Sequence, residues 1–267
     1  MQQRIFAAKN PTSTSWRWSV AGACAGLMLA IGMFAPARWL AALIKQASSE
    51  QVVLAAPRGS LWQGSAQLVF SGGAGSRNGM ALPGPLTWRI RPAWGGLSLE
   101  LNAGCCMRQA LQVTAKPAGW DGVQLALSDS QSRWPAGLLA GLGTPWNTVQ
   151  VQGELAASTQ GFNARWQHGQ LSLAGRLQLD ALQISSRLST LQPMGSYRLL
   201  LQGGNPSTLQ LDTLEGSLVL TGQGQWVGQR LQFDGAASAT PGSIDALSNL
   251  LNIIGRRNGA TAVIKVG

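Results

Sequence analysis

The chain has 267 residues, of which 45% are hydrophobic and only 11% are charged, and its formal net charge is +10. A typical soluble domain carries about 25% charged residues. The basic residues are spread singly, with no Lys/Arg cluster interleaved with aromatic residues, which argues against nucleic-acid binding. Abundant glycine, 34 residues in all, with few Lys and Glu argues against a helical bundle.

The first element predicted along the chain is an apolar helix from Trp18 to Ala37, which contains no charged residue. About 20 apolar residues at ~1.5 Å each can cross a ~30 Å hydrocarbon core. We therefore expect a cytoplasmic lead over 1–17, a transmembrane anchor helix over 18–44 and an exported β-rich domain over 45–267. The basic lead favours a cytoplasmic N-terminus, with the body on the opposite face of the membrane.

A cleaved signal peptide is the alternative interpretation of this segment, because Ala35-Pro36-Ala37 has the A-x-A form of a cleavage site. The apolar run is long for a signal peptide, and proline fits poorly within such a site, so the uncleaved anchor is preferred. Both interpretations export the body of the chain. A buried helix in a cytosolic core is the third interpretation.

The body alternates apolar and polar residues with a period of two, which predicts half-buried antiparallel strands. Examples are Leu86, Trp88 and Ile90 in the first half and Leu218 and Leu220 in the second. Glycine-containing pairs predict the turns between the strands: Gly72-Gly73, Asn78-Gly79, Pro83-Gly84 and Asp121-Gly122. Alternation is expected to resume at Val149 and Val151 after a break in the middle of the chain.

Two short segments of the body break the strand pattern, so one or two short helices are expected. Arg133 to Gly143 contains leucines at helical spacing and is predicted to be a short helix or turn between two halves of the sheet. Ser243 to Ile254 is predicted to be a helix with an apolar face, with Ser243 as the expected N-cap and Gly255 as the stop. A last strand is predicted over Thr261 to Val266. The fold class expected is mainly β: one N-terminal transmembrane helix followed by a curved antiparallel sheet, as a partial barrel or meander, with the Ser243–Ile254 helix over its apolar face.

Catalytic patterns are absent from the sequence. No G-x-S-x-G or S-x-x-K motif occurs, and the only histidine, His168, has no partners at triad spacing. The glycine-rich run from Ser71 to Gly79 lacks the G-K-S/T ending of a phosphate loop and is predicted to be a hairpin loop. We therefore expect no enzyme activity, no cofactor and no metal site.

The cysteines and tryptophans leave alternatives open. Cys105 and Cys106 are adjacent and could form a vicinal disulfide, pair with another chain or stay reduced, whereas Cys24 lies in the apolar helix. Most of the body's tryptophans are expected in the core, with one or two exposed: Trp62, Trp88, Trp94, Trp120, Trp134, Trp146, Trp166 and Trp226.

Several segments, in order along the chain, resemble the protein N family of the type II (general) secretion pathway. Pro57 to Gly64 looks like the family's V-x-G-x-L/V-W-x-G segment, and Leu86 to Pro92 looks like its L-x-W-x-L-x-P strand. Pro193 to Arg198 is similar to its L-G-x-Y segment, Gly224 to Gly235 to its G-x-W…F-x-G strands, and Ile254 to Gly259 to its L-G-R-x-x-G tail. The residues that carry the resemblance are Gly59, Leu61, Trp62, Gly64, Trp88, Pro92, Gly195, Tyr197, Gly224, Trp226, Phe233 and Gly235, which we call the motif residues.

The resemblance implies an accessory, non-enzymatic, single-pass protein of the cell inner membrane, with its body, residues 45–267, in the periplasm. It also implies contact with the inner-membrane platform of the secretion machine, with the outer-membrane secretin as a further partner. The glycine-punctuated body is also similar in character to AsmA-like lipid-handling proteins, which gives the alternative function of a periplasmic lipid-binding groove. Nucleic acid is not expected as a partner, whereas the inner membrane and lipid are.

Overall fold

The computed structural model describes residues 14–76, 79–228, 230–258 and 261–267. Most of the predicted cytoplasmic lead lies outside the described residues. So do Asn78 of one predicted turn, two residues of the predicted glycine-rich loop, and Gly259 of the predicted tail segment. The structure confirms the expected fold class, because the chain is mainly β, with an apolar N-terminal helix and an open, curved antiparallel sheet.

Two helices occupy the segment predicted as a single anchor helix. Helix α1 spans Thr14–Phe34 and helix α2 spans Ala37–Ala47. Within the described residues, one helix is long and apolar enough to cross a membrane, Trp16–Phe34, with a hydropathy of 1.4 and no part of it buried. The helices separate at Pro36, which has no N–H for a helical hydrogen bond and forms a β-bridge with Ser60 instead.

Helix α2 belongs to the body of the protein. It presents Leu40, Ala41 and Ile44 to the sheet at helical spacing, while Trp39 and Leu43 on the other side are exposed. Its apolar face packs on a core that includes Leu54, Ala66 and Trp88. The helix was hidden in the sequence because only Pro36 and Arg38 interrupt the run of apolar residues that joins α1 to α2.

Over its described residues, the body is a single sheet of 15 antiparallel strands. The first seven are β1 Val52–Gly59, β2 Gln63–Ser71, β3 Gly79–Ala93, β4 Gly96–Ala103, β5 Leu111–Pro117, β6 Val123–Leu127 and β7 Ser130–Pro135. The other eight are β8 Gln152–Gln167, β9 Gln170–Ser185, β10 Gly195–Gln202, β11 Thr208–Gly216, β12 Leu218–Val227, β13 Arg230–Ala239, β14 Arg256–Asn258 and β15 Thr261–Val266.

Nearly every strand lies beside its neighbour in sequence. The order is β1 to β6, then β8 to β13, then β15 and β14, and β7 continues the line of β6 along β8. The meander alternative of the predicted fold class therefore describes the topology. Because the strands alternate in direction, successive turns lie alternately at the two ends of the sheet.

Three elements cover the apolar face of the sheet, where the sequence predicted one. Helix α2 covers β1 to β4, and a 3₁₀ helix over Ala136–Leu142 packs on β2 and β3 with Leu138 buried. Helix α4, Ile244–Ile254, packs on β13 and β15 and buries Leu247, Leu250 and Leu251 almost completely. A short helix α3, Trp146–Val149, adjoins the 3₁₀ helix.

The ends of α4 differ from the prediction in detail. Ser243 is at the N-cap position, but its side chain makes no capping hydrogen bond. Gly255 follows the helix in an extended conformation rather than the left-handed one that commonly ends helices. A side chain there would collide with the carbonyl of Val263 on β15, so the glycine is required by close approach.

Other local predictions were also wrong. Pro83 and Gly84 form an irregularity inside β3 rather than a turn, at the point where its register with β2 shifts. Arg133 to Pro135 end β7, and the predicted helix begins only at Ala136. Val149 ends α3 instead of starting a strand. In each of these segments the sequence is compatible with two local structures, and tertiary packing determines which one forms.

The tryptophan prediction was wrong in its main point. Of the eight in the body, only Trp88 is buried, whereas Trp94 and Trp120 are fully exposed. Trp146 and Trp166 are 41% and 42% exposed. A single-layer sheet has no second layer above its hairpin turns, so aromatic residues there find nothing to pack against.

Candidate functional site

The first five motif residues converge where helix α1 meets the sheet. Leu61 and Trp62 form the turn between β1 and β2, and Gly59 and Gly64 flank it. The Leu61 N–H donates to the carbonyl of Ala35, 2.8 Å away, and the Trp62 indole N–H donates to the carbonyl of Gly32 at 2.7 Å. We call this contact between the α1 C-terminus and the β1–β2 turn the junction.

Trp88 supports the junction from the neighbouring strand. It lies opposite Gly64 in the β2–β3 pairing, and its indole occupies the space above that glycine: an added Cβ at Gly64 would lie 2.5 Å from the ring. The Trp88 indole N–H donates to the carbonyl of Leu61 at 3.1 Å. The buried Trp88 therefore joins the core under α2 to the turn that receives α1.

Charges line the polar side of the same region. A concavity of about 540 Å³ lies on the polar face of β1 to β4, and its lining includes Arg58, Arg89 and Glu100. Arg89 and Glu100 are opposite each other in the β3–β4 pairing. The concavity is open, and its lining combines charged and other polar side chains with the Trp88 ring, so it suits contact with a protein surface better than enclosure of an apolar ligand.

The remaining motif residues lie elsewhere in the sheet. Pro92 is exposed near the end of β3. Tyr197 on β10 is buried, and its hydroxyl lies where a side chain at Gly195 would project, 2.8 Å from an added Cβ. No hydrogen-bond partner of that hydroxyl is found in the described part of the chain, and burial raises the pKa of Tyr197. The Tyr197 ring packs in the same hydrophobic cluster as the buried leucines of α4.

Phe233 fills a depression made by glycines. Its ring lies over Gly222, Gly224 and Gly235, and an added Cβ at Gly224 or Gly235 would come within 3.0 or 2.9 Å of the ring. Trp226 lies on β12, two residues after Gly224, and pairs with Leu231 on β13. An aromatic ring covering neighbouring glycines is a common way to stabilise strands that lack side chains. These motif residues therefore fit a structural role in the sheet.

An ion pair on the polar face is the best-formed charged contact in the described residues. The Arg198 guanidinium donates to both carboxylate oxygens of Asp180, at 2.8 and 2.9 Å. This hydrogen bonding lowers the pKa of Asp180 and raises that of Arg198. The two residues are cross-strand neighbours on β9 and β10, so the pair links strands rather than forming a catalytic group.

Two further candidates from the sequence have local partners. His168 is exposed at the β8–β9 turn, with its Nε2 3.7 Å from Asp121. Cys105 and Cys106 are joined by a disulfide in the turn after β4, and the carbonyl of Cys106 accepts a hydrogen bond from the Arg133 N–H on β7. The linked turn thus holds the end of β4 against β7.

One family model matches the chain: type II secretion system (T2SS), protein N, over residues 50–264. The chain belongs to the type II secretion system protein N family. Members of this family are non-catalytic components of the secretion system. The comparisons with curated proteins and with solved structures found no match.

The matched region of the protein N family begins directly after α2, so the family domain is the sheet with its later helices. The sequence suggested the motif residues but did not show that two of them, Leu61 and Trp62, bond to the C-terminal end of α1. The missing signal was the carbonyl of Gly32, a backbone group inside a helix, which no side-chain pattern can reveal. The sign that the sequence did offer was Pro36, because a proline interrupts a helix and this one separates α1 from α2.

Proposed function

We propose that this chain is an accessory, non-enzymatic component of the type II secretion system. It is held in the inner membrane by α1, with the sheet in the periplasm, and supports export of folded proteins across the outer membrane. The sheet contacts subunits of the inner-membrane platform, with the secretin as a further partner. The observation that carries the proposal is the match to protein N over residues 50–264.

The chemistry of α1 supports the membrane anchor. Its apolar side chains are exposed to solvent, including Leu27 at 62% and Phe34 at 80%. Exposed apolar surface of this extent is unfavourable in water and marks a membrane or a partner. Trp16 and Trp18 stand at its beginning, where indoles favour the membrane interface.

The junction supports an anchor that is not removed. Ala35 and Ala37, the two small residues of the candidate cleavage site, are 3% and 2% exposed and lie in the body's packing. Cleavage after Ala37 would remove the carbonyls that bond to Leu61 and Trp62. We expect the protein in the membrane fraction to have the mass of the full chain, and a mature form that starts at Arg38 would contradict the anchor.

The secretion role is tested in a strain that lacks the gene. Secreted enzymes should accumulate in the periplasm, whereas export across the inner membrane, measured by removal of signal peptides from other proteins, should stay normal. The full chain should restore secretion. A variant whose residues before Arg38 are replaced by a cleavable signal peptide keeps the body exported and should restore it poorly. Normal secretion in the deletion strain would contradict the proposal.

Contacts with the platform can be mapped by photo-crosslinking in intact cells. A crosslinking amino acid placed at exposed positions on the polar face, such as Thr87 and Gln223, should capture other secretion subunits. The same label at Thr190, in the loop between β9 and β10, serves as a comparison from another surface. Mass spectrometry of the products identifies the subunit, and products that contain only unrelated proteins would count against platform contact.

A lipid-handling role is the alternative function. Four concavities on the described part of the sheet are open, and polar side chains contribute to each lining. One of about 950 Å³ includes Gln210, Gln223 and Asp234. Such linings suit protein or solvent better than an acyl chain. Native mass spectrometry of the purified protein tests the alternative, because a stoichiometric bound phospholipid would favour lipid handling over a purely structural role.

A further inference from the structure

Two fully exposed tryptophans stand at the tips of neighbouring hairpins. Trp94, in the β3–β4 turn, is 99% exposed, and Trp120, in the β5–β6 turn, is 107% exposed relative to the reference state. Moving each indole from water into an apolar environment would be favourable, because it removes apolar surface from water. Isolated exposed apolar residues are common, but two exposed tryptophans on adjacent hairpin tips indicate an interaction surface.

The turns hold both side chains outward. Ala93 pairs with Gly96, so Trp94 and Gly95 form a two-residue loop in which Gly95 has a positive φ of 74°. In the second tip the Ala118 N–H donates to the carbonyl of Gly122 at 2.9 Å, which closes the turn that carries Trp120. These tight turns leave little room for the indoles to fold back on the sheet.

Both tips lie at the end of the sheet that receives α1. Gln63, next to the junction, pairs with Arg89 on β3, and β3 then continues in the same direction to Trp94. Because strands alternate in direction, the β5–β6 turn lies at that end too, as does the β8–β9 turn. A membrane crossed by α1 therefore borders the end of the sheet from which Trp94 and Trp120 project.

An uncovered apolar strip joins the tips along the apolar face. Leu97 lies opposite Ala115, which lies opposite Leu125, and Val123 lies opposite Trp166. Exposed fractions are 46% for Leu97, 41% for Val123, 37% for Leu125 and 42% for Trp166. None of these four residues belongs to the three packed clusters under α2, the 3₁₀ helix and α4. We call them the apolar strip.

The charges near the tips favour an anionic surface. The strand ends over residues 87–101, 113–126 and 163–174 carry four basic residues, Arg89, Arg91, Lys116 and Arg165, against two acidic ones, Glu100 and Asp121. Basic side chains beside a membrane interface are attracted to anionic phospholipids. Tryptophan with nearby Lys and Arg is the combination that settles at the boundary between headgroups and acyl chains.

We propose that Trp94, Trp120 and the apolar strip form a second membrane contact, which docks the end of the sheet on the same bilayer that α1 crosses. This inference rests on the proposed anchoring of α1. The occupant is the phospholipid surface, because the tips and the end of α1 are on one side of the body. Two attachments would fix the tilt of the sheet above the membrane, whereas α1 alone would leave it free to swing about the junction.

The test uses the full chain in vesicles of phosphatidylethanolamine and phosphatidylglycerol. In a Cys24→Ala background, single cysteines are introduced as Trp94→Cys, Trp120→Cys, Thr190→Cys or Leu27→Cys and labelled with an NBD fluorophore. The disulfide-linked Cys105 and Cys106 do not react with the label. Thr190 lies in the β9–β10 loop at the other end of the sheet, and Leu27 lies within α1. Unchanged circular dichroism confirms that each variant folds.

The expected result is that labels at 94 and 120 emit at shorter wavelength, are quenched by doxyl-labelled phospholipid and are shielded from aqueous iodide. The label at 190 should show the opposite behaviour, and the label at 27 should be quenched by lipid.

The position-27 label tests the anchor independently of the tips. If the label at 27 is quenched while the labels at 94 and 120 respond like the label at 190, the docking proposal is overturned and the anchor stands. If 27 also escapes lipid quenching, the anchor fails and the docking proposal fails with it. Protection of 94 and 120 that needs added secretion subunits would assign the surface to a protein and overturn the lipid contact.

Discussion

The indole N–H of Trp62 donates to the carbonyl oxygen of Gly32 at 2.7 Å, which ties the last turn of α1 to the β1–β2 turn. Carbonyls at the end of a helix have no intrahelical partner, so a side-chain donor there stabilises the helix end. Through this hydrogen bond, Trp62 connects α1 directly to the sheet.

Replacing Trp62 with Phe should loosen the junction without unfolding the body. The variant loses one hydrogen bond, about 1 kcal/mol, which corresponds to roughly fivefold faster opening. Amide hydrogen exchange of residues 33–37 and of the Leu61 N–H in detergent measures this. Trp134→Phe is the matched control, because the Trp134 indole donates to Ser132 on its own strand at 2.8 Å. Equal exchange in both variants would show that the Trp62 contact does not hold α1.

Gly64→Ala should destabilise the body by about 1–3 kcal/mol, the usual range for overpacking in a core. The added Cβ would lie 2.5 Å from both the Trp88 ring and the carbonyl of Arg58, and a backbone carbonyl cannot move aside cheaply. Thermal unfolding in detergent measures the effect. Gly104→Ala is the control, since a Cβ there has no atom within 4 Å. A Gly64 variant that melts like the control would argue against the close fit of Trp88.

Replacing Leu250 and Leu251 with Asp should destabilise the body by several kcal/mol, because each carboxylate would be buried without a partner. Both leucines are at most 1% exposed under α4. Ile253→Asp is the matched control on the same helix, because Ile253 is 42% exposed. Denaturant unfolding provides the comparison. If the double variant unfolds at the same denaturant concentration as the control, α4 does not cover the sheet.

Tyr197→Phe should leave stability unchanged or raise it by about 1 kcal/mol. The hydroxyl is buried with no hydrogen-bond partner among the described residues, and removing an unsatisfied polar group recovers its desolvation cost. Tyr197→Leu, which also loses the ring over Gly195, should destabilise, and it separates the ring from the hydroxyl. Loss of stability in the Phe variant would reveal a partner for the hydroxyl.

The Asp180–Arg198 pair predicts a pH dependence with a defined sign. Hydrogen bonds from Arg198 hold the pKa of Asp180 below its ordinary 3.8, so the pair stabilises the fold above about pH 4. This contribution should disappear as the pH falls through the lowered folded-state pKa. Because Arg198 is 40% exposed and partly screened by water, we expect about 1 kcal/mol.

Asp180→Asn should remove this part of the acid dependence of the unfolding free energy. Asp234→Asn is the control, because its ion pair with Lys265 has side chains that are 73% and 76% exposed. Urea unfolding of the three proteins between about pH 2 and pH 6, which brackets the ordinary Asp value, measures the difference. The same acid slope in the wild type and in Asp180→Asn would place the pH dependence elsewhere.

The strands were predictable because one face of the sheet is packed and the other wet. Residues such as Leu86, Trp88 and Ile90 then alternate with polar neighbours, and the pattern appears in the sequence without any knowledge of partners. The last strand, predicted over Thr261 to Val266, has those bounds in the structure. Helix α4 was predictable for the same reason, since its apolar residues recur at helical spacing.

The covers on the apolar face were only partly predictable. Helix α2 has its own apolar side, but its leucines follow α1 so closely that they extend the apparent membrane span. The 3₁₀ helix has two glycines and three leucines within Ala136–Leu142. Its position depends on Gly141 fitting against Phe70 of β2, a contact far away in sequence. The junction likewise depends on backbone carbonyls, which side-chain patterns do not encode.

The order of the strands bears on how the protein is made. From β1 to β6, and again from β8 to β13, each strand bonds to the one synthesised just before it, so the sheet can be assembled by adding one hairpin at a time. Low sequence separation between contacts favours fast folding. A chain emerging from a translocation channel could therefore build the sheet in the order of its synthesis, starting beside α2. The exception is β15, which pairs with β13 only after α4 and β14 have been made. The final step therefore completes the open sheet and packs α4 on it at the same time.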